Sequence, residues 1–295
     1  MITKNTSSAA SSEEITQEQY FALNNEIITR SKIMDYELCP HYFYRKHITG
    51  EITRKTTSSA FAIGGAVDDL LAQIKMSRDI VVFYGDRRTK AGKAEYAELI
   101  DDGKIVVNET QYDQIIGISS AVEETSAYKE LSDYDKQVVL MISTDILFGM
   151  SSKHFKNIAG LPDFIKVDHK KKHVSIKDLK TAQTIEPRKY YWHCEKYGYF
   201  YQAALYTMLV RALYPGYTTD FGHIVAEKAE PFRVATFMIS ESVIEENILK
   251  LSEIIKQILS DEKFTKKDIS WSDAVLLGEN NIDWEEPINT DDQGA

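Results

Sequence analysis

The sequence predicts an α/β domain in which a central sheet is flanked by helices, and three observations carry that prediction. From about Gln137 the apolar period shortens, so that VVLMIST, NIAGLPDFIKVD and HVSIKDLKT read as short strands divided by turns. Segments on either side, FAIGGAVDDLLAQIK and SVIEENILKLSEIIKQILSDEKF, instead repeat their apolar residues every three and four positions, which is helical spacing. The 295 residues are 43% hydrophobic and 11% aromatic, enough to fill a sizeable core, which excludes wholesale disorder.

Residues 1–18, rich in Ser, Thr, Ala and Glu, read as a flexible arm, with structure beginning near Tyr20. Ser31 is placed to cap a helix through Ile33, Tyr36 and Leu38 that Pro40 interrupts. In the helix from Phe61, Gly64 and Gly65 permit close approach of a neighbouring backbone. IVVFYGD is a strand, RRTKAGKAEYAEL enters a helix, and KIVVNETQYDQIIGISSAVEET is an extended piece followed by another. The three runs after Gln137 are expected to be adjacent strands of one sheet. One long helix is expected from about Tyr190 to Leu213, stopped by LYPGY; FGHIVAEK and FRVATFMI then add strands before the last helix. Nothing forces a split, so residues 19–270 are expected to form a single domain, with 271–295 an acidic tail.

Forty-five acidic against thirty-five basic side chains give a formal charge of −10, which argues against nucleic acid unless the bases are gathered locally. They are gathered between Lys166 and Lys180, where six lysines and two histidines fall, while the last 23 residues carry seven carboxylates and no base. A local anion-binding face fits this pattern, and so does a solvated hairpin turn in KVDHKKKH. No run of 18 apolar residues and no secretory signal is present, so a cytoplasmic protein without membrane partners is expected. Cys39 and Cys194 cannot by themselves supply a four-thiolate site.

The chemistry is concentrated in GLPDFIKVDHKKKHVSIKDLKT. In an alternating strand Val174, Ile176, Asp178 and Lys180 point to one side, so an Asp and a Lys continue an apolar face. Burying them requires a metal, a partner charge or a wet cleft. Fourteen residues separate Asp163 from Asp178, enough for antiparallel pairing to bring both carboxylates to one edge. Such oxygen ligands suit Mg²⁺ or Mn²⁺ better than zinc, with Lys180 set to orient or activate a water and oppose phosphoryl charge. The plainer alternative is that Asp163 caps a turn after Pro162 and Asp178 and Lys180 form an ordinary ion pair.

GLPDFIKVD followed by VSIKDLKT resembles the split motif of the PD-(D/E)xK nucleases, whose fold is a restriction-endonuclease-like core with a central mixed sheet. Asp163 matches the first acid, Asp178 the second and Lys180 the lysine; the carbonyl of Leu179 then falls where that superfamily commonly binds metal. The run from Phe61 to Leu209, including RRTKAGKAEYAEL, is similar to bacterial and phage exonucleases related to exodeoxyribonuclease VIII. Gln202 and Tyr206 match the Q-x-x-x-Y helix of these and of RecB-like nucleases, four residues apart on one face. FAIGGAVDDLL resembles the preceding helix, which usually presents a histidine to the metal; Asp68 stands there and is favoured over Asp69 as the ligand. SKIMDYELCPHYFYRK resembles an early element that in some relatives holds an iron-sulfur centre with a later cysteine cluster. That cluster is lacking, so no such cofactor is expected. Relatives also place an acid before the first motif strand, where Gln137 and Ser143 stand.

The resemblance implies a Mg²⁺- or Mn²⁺-dependent exonuclease that degrades duplex DNA from its 5′ end in recombination, by phosphodiester hydrolysis with a metal-activated water. Asp163, Asp178, Lys180 and Gln202 are the catalytic candidates, and Asp68, Asp163, Asp178 and Leu179 the metal ligands. Lys170, Lys171, Lys172 and Tyr206 are candidate DNA contacts. A single-strand annealing protein and a ring-forming homo-oligomer are implied partners. The alternatives are a Cas4-like or RecB-like nuclease of other polarity, or a DNA-binding scaffold whose metal shell has been altered.

Overall fold

The computed structural model describes residues 16–52, 59–72, 79–150, 152–261 and 264. Most of the expected arm (1–15) and all of the expected acidic tail (271–295) lie outside the described residues.

The chain enters through α1 (Gln17–Ala22), closed by a capping box between Thr16 and Gln19, and β1 (Ile27–Ile28). Next come α2 (Arg30–Leu38) and α3 (Pro40–Phe43), which runs into a π turn at Tyr44–Ile48. The N-cap of α2 is Thr29 and not Ser31, whose hydroxyl instead meets Thr29 Oγ1 at 3.1 Å. Then follow α4 (Ser59–Ala72), β2 (Ile80–Val82), α5 (Lys90–Asp101), β3 (Ile105–Val107), α6 (Glu109–Glu123) and α7 (Ser126–Lys129). The middle of the chain holds β4 (Asp135–Lys136), β5 (Leu140–Ser143), α8 (Thr144–Phe148), β6 (Asn157–Gly160), β7 (Phe164–Asp168) and β8 (His173–Ala182). It closes with α9 (Pro187–Tyr197), α10 (Tyr199–Leu213), β9 (Thr218–Glu227), β10 (Val234–Met238) and α11 (Glu241–Ser260).

The main sheet has the order β10-β9-β8-β7-β4, with β8 and β9 parallel and the other pairs antiparallel. A mixed sheet follows from the connections: a tight turn joins β7 to β8, whereas β8 reaches β9 through α9 and α10, the long crossover that parallel neighbours need. The expectation of one sheet for the three runs after Gln137 is corrected. β5 and β6 pair with β1 in a separate three-stranded sheet, and the chain changes sheets across Leu161–Asp163. The single long helix is corrected too, because Gly198, at φ 65°, divides α9 from α10.

Two apolar layers sandwich the main sheet. On one face Val174, Ile176 and Phe221 pack with α10, whose residues from Gln202 to Val210 are all buried, and with α2 and α11. On the other, Phe164, Leu179, Ile224 and Ala226 pack with α4, β3 and α6. β8 is therefore covered on both sides along much of its length, and the polar groups it carries must find partners inside the protein.

Candidate active site

The antiparallel register of β7 and β8 ends at Phe164 opposite Lys177, so the next pair in line is Asp163 and Asp178. Past the end of the ladder the side chains replace strand pairing. The Asp163 N–H donates to Asp178 Oδ1 at 3.1 Å, and the Leu179 N–H donates to Asp163 Oδ2 at 2.8 Å. Lys180 Nζ donates both to Asp178 Oδ2 and to the Leu179 carbonyl, each at 3.0 Å, so these two oxygens lie within reach of one nitrogen. Asp178 is 1% exposed and is part of the buried edge that the alternation predicts.

Burial holds Asp163 well above the usual carboxylate range, helped by repulsion from Asp178 and Asp68 and opposed by Lys180 and the Leu179 N–H. Burial acts to lower Lys180, but the surrounding Asp178, Asp163, Tyr199 and Asp68 outweigh it and leave the ammonium more basic than an ordinary lysine. The charges of Asp68, on α4, thus act on both groups. Asp69 is the more buried of the two neighbours, at 8% exposed, while Asp68 is half-buried.

Gln202 and Tyr206 share one face of α10, where Gln202 Nε2 donates to the Tyr206 hydroxyl at 3.1 Å. That hydroxyl donates in turn to the Leu161 carbonyl at 3.1 Å, two residues before Asp163. The pair therefore holds the sheet-changing segment that delivers Asp163. Gly160 completes the fit, since a Cβ there would stand 2.3 Å from Tyr206 Cε1. Tyr206 as a DNA contact is corrected: it is 6% exposed, with its ring against Phe221. Lys170, Lys171 and Lys172 are exposed on the β7–β8 turn, where Asp168 accepts the backbone N–H groups of Lys170 and Lys171. That turn is the opposite end of the hairpin from the carboxylates, roughly 16 Å along the strand at 3.3 Å per residue. The structure does not gather these lysines into the site.

Two aromatic residues beside the lysine escaped sequence reasoning. Lys180 Nζ lies 5.2 Å from the centroid of the Tyr199 ring, which also meets His223 edge-on. His223 is the register partner of Asp178 on β9 and is fully buried, with Nδ1 3.0 Å from the Tyr190 hydroxyl. A lone histidine in the apolar run FGHIVAEK was a signal for it; nothing in the sequence singled out Tyr199.

The donor set fits a hard divalent cation. Two carboxylates and a carbonyl converge, Asp68 adds negative potential, and Lys180 is the one ammonium among the described residues that offsets them. The Gln202 amide oxygen is also buried without a donor among the described residues. No group of three His, Cys, Asp or Glu side chains at metal-holding spacing is found among the described residues, so the Leu179 carbonyl is needed to make a third ligand. Gln137, whose N–H bonds to the Asp163 carbonyl at 3.0 Å, stands beside the site without a charge to contribute.

Comparison with known proteins agrees with this architecture. A crystal structure from Eubacterium rectale, provisionally described as an exonuclease, superimposes with a TM-score of 0.57 at 17% identity, over 84% of this chain and 86% of that one. At that identity the likeness establishes the shared fold. A second solved structure, SSO0001, aligns with a TM-score of only 0.31 at 18% identity, over 70% of this chain and 87% of the other, too weakly to bear on the argument. No curated protein sequence matches the chain. Residues 29–268 match the PDDEXK-like domain of unknown function (DUF3799), which spans the sheet, both apolar layers and every residue of the carboxylate cluster, and the chain belongs to that family.

Proposed function

We propose that the protein is a Mg²⁺- or Mn²⁺-dependent deoxyribonuclease, acting as an exonuclease from the 5′ ends of duplex DNA in recombination. The observation that carries the reading is the meeting of Asp163, Asp178, the Leu179 carbonyl and Lys180 at the end of the β7–β8 ladder. The PDDEXK-like family and the fold shared with the Eubacterium rectale protein support nuclease activity. The polarity and the role in recombination come from the exodeoxyribonuclease VIII resemblance alone.

Asp163, Asp178 and the Leu179 carbonyl would hold the ion, with Asp68 contributing charge from α4. The ion would supply the Lewis acidity that activates the attacking water and screens the phosphate. Lys180 has a separate task. Its raised pKa keeps it charged at neutral pH, so it serves as a fixed donor to water and phosphoryl oxygen and not as a base. Tyr206 and Gln202 act through the backbone that carries Asp163.

Duplexes labelled separately at their 5′ and 3′ ends, with matching single strands, incubated with Mg²⁺ or Mn²⁺ and with chelator, test the reading. Early release of the 5′ label from duplex, abolished by chelation, is expected. Release of the 3′ label first would overturn the polarity. Absence of all cleavage would favour a DNA-binding scaffold, a reading to which the uncharged Gln137 and the Asp68 substitution lend support.

A further inference from the structure

The segment RRTKAGK, residues 87–93, holds four bases and no acid in a chain of net charge −10. Nothing in the carboxylate site uses it. It joins β2 to α5, and residues 84–91 are exposed. The turn is nevertheless built by specific bonds. Asp86 Oδ1 accepts the Arg88 backbone N–H at 2.9 Å and its Nε–H at 3.0 Å, which aligns one guanidinium. Thr89 Oγ1 donates to the Asp86 carbonyl at 2.9 Å and accepts the Gly92 N–H at 3.0 Å. A Cβ on Gly92 would lie 2.2 Å from the Asp86 carbonyl oxygen, so glycine is required for the turn to close. Arg87 is laid over the Tyr96 ring at 4.0 Å, and Tyr84, just upstream, is 79% exposed. Lys90 and Lys93 have no acidic partner among the described residues.

The order of charge along α5 sharpens the point. Lys90 and Lys93 occupy its first turn, which has no acid, while Glu98 and Asp101 lie toward its end, which has no base. The helix macrodipole favours the reverse order, with acids at the start and bases at the end. The bases are thus placed where they disfavour the isolated helix, a placement that an anionic partner would offset. Lys90 and Lys93 are three apart and share a helix face, about 5–6 Å from each other. A row of point charges of this kind suits a row of phosphates and carries no base-reading groups. The turn follows β2, whose Ile80 and Val82 pack against the layer that contains α4, β3 and α6.

We infer that the β2–α5 turn, through Arg87, Arg88, Lys90 and Lys93 with Tyr84 beside them, is a docking surface for the sugar-phosphate backbone of duplex DNA. The inference rests on the nuclease reading for its choice of partner. It is tested by fluorescence anisotropy of a labelled duplex in chelator, at several salt concentrations, so that binding is read without cleavage. The K90Q/K93Q chain is compared with the parent and with K250Q/K256Q, which makes the same charge change on α11. Loss of two phosphate contacts should make the slope of log affinity against log salt shallower by about 1.8 and weaken binding at least several-fold, with the α11 variant unchanged. Equal affinity and slope in K90Q/K93Q and parent would overturn the inference, as would an equal loss in K250Q/K256Q. Cleavage, measured separately with metal, decides the nuclease reading, so the two can fail independently.

Discussion

Lys180 is fixed by Asp178, by the Leu179 carbonyl and by the Tyr199 ring, and these contacts leave it charged. Lys180→Ala should therefore keep Mn²⁺ binding, read by calorimetry, while turnover falls by about 10²–10³. Unchanged turnover would remove Lys180 from the mechanism. Gly160 offers a second test at this scale, because the Tyr206 ring fills the space of a missing methyl. Gly160→Ala should cost about 1–3 kcal/mol in urea unfolding, as overpacking of a filled core does. Which residues approach the site was partly legible. The alternation Val174, Ile176, Asp178, Lys180 identified the charged end of an apolar face, and the resemblance to a Q-x-x-x-Y helix pointed to the Gln202–Tyr206 pair. What the spacing could not tell was whether a tyrosine turns inward: Tyr206 and Tyr191 occur in the same aromatic stretch, yet one is buried and the other 45% exposed.

Element boundaries follow the same division between local signal and tertiary decision. The apolar period runs almost unbroken from Tyr190 to Leu213, so a continuous helix is the natural expectation, and only the αL conformation of Gly198 breaks it. The break is supported on both sides. Arg30 Nη1 donates to the Tyr197 carbonyl at 2.6 Å, taking up a helix-end acceptor, and α10 restarts with Tyr199 already facing Lys180. A Cβ on Gly198 would meet Met34 Sδ at 2.3 Å in addition to the left-handed backbone. Gly198→Ala should lower stability by about 1–2 kcal/mol from the backbone alone. If thermal melts of the variant and parent coincide, the helix break is not held as described. Sheet membership was less legible than strand existence. NIAG and FIKVD are both short runs that read equally as strands, and the change of sheet between them falls at Leu161–Asp163, where the Leu161 carbonyl is held by Tyr206, 45 residues later.

Over the whole molecule, opposing ionisations set how stability depends on pH. His193 is pushed down to about 4, by burial and by Lys228 and Lys196, and buried His223 lies well below an ordinary imidazole. Both are neutral in the folded chain while the unfolded chain takes up protons from about pH 6.5 downward, so they remove stability as pH falls through that range. Asp163 acts in the other direction. Its folded carboxyl keeps a proton after the unfolded one, with a pKa near 3.9, has lost it, so its contribution declines as pH rises. A divalent cation beside Asp163 and Asp178 would favour the ionised form, and binding it must then expel that proton. Mn²⁺ should accordingly raise the melting temperature more at pH 8 than at a pH near the ordinary carboxylate range. At a hundredfold excess over its dissociation constant the gain is about 2.7 kcal/mol, or about 4 °C for a chain of this size. Asp163→Asn removes one ligand and one buried acid together, so its chelated form should melt higher than the chelated parent at pH 8 and respond little to Mn²⁺. The readout needs no substrate and is separate from cleavage. Identical melting of the parent with Mn²⁺ and with chelator at pH 8 would show that the clustered carboxylates are not a cation site, whatever the protein does to DNA.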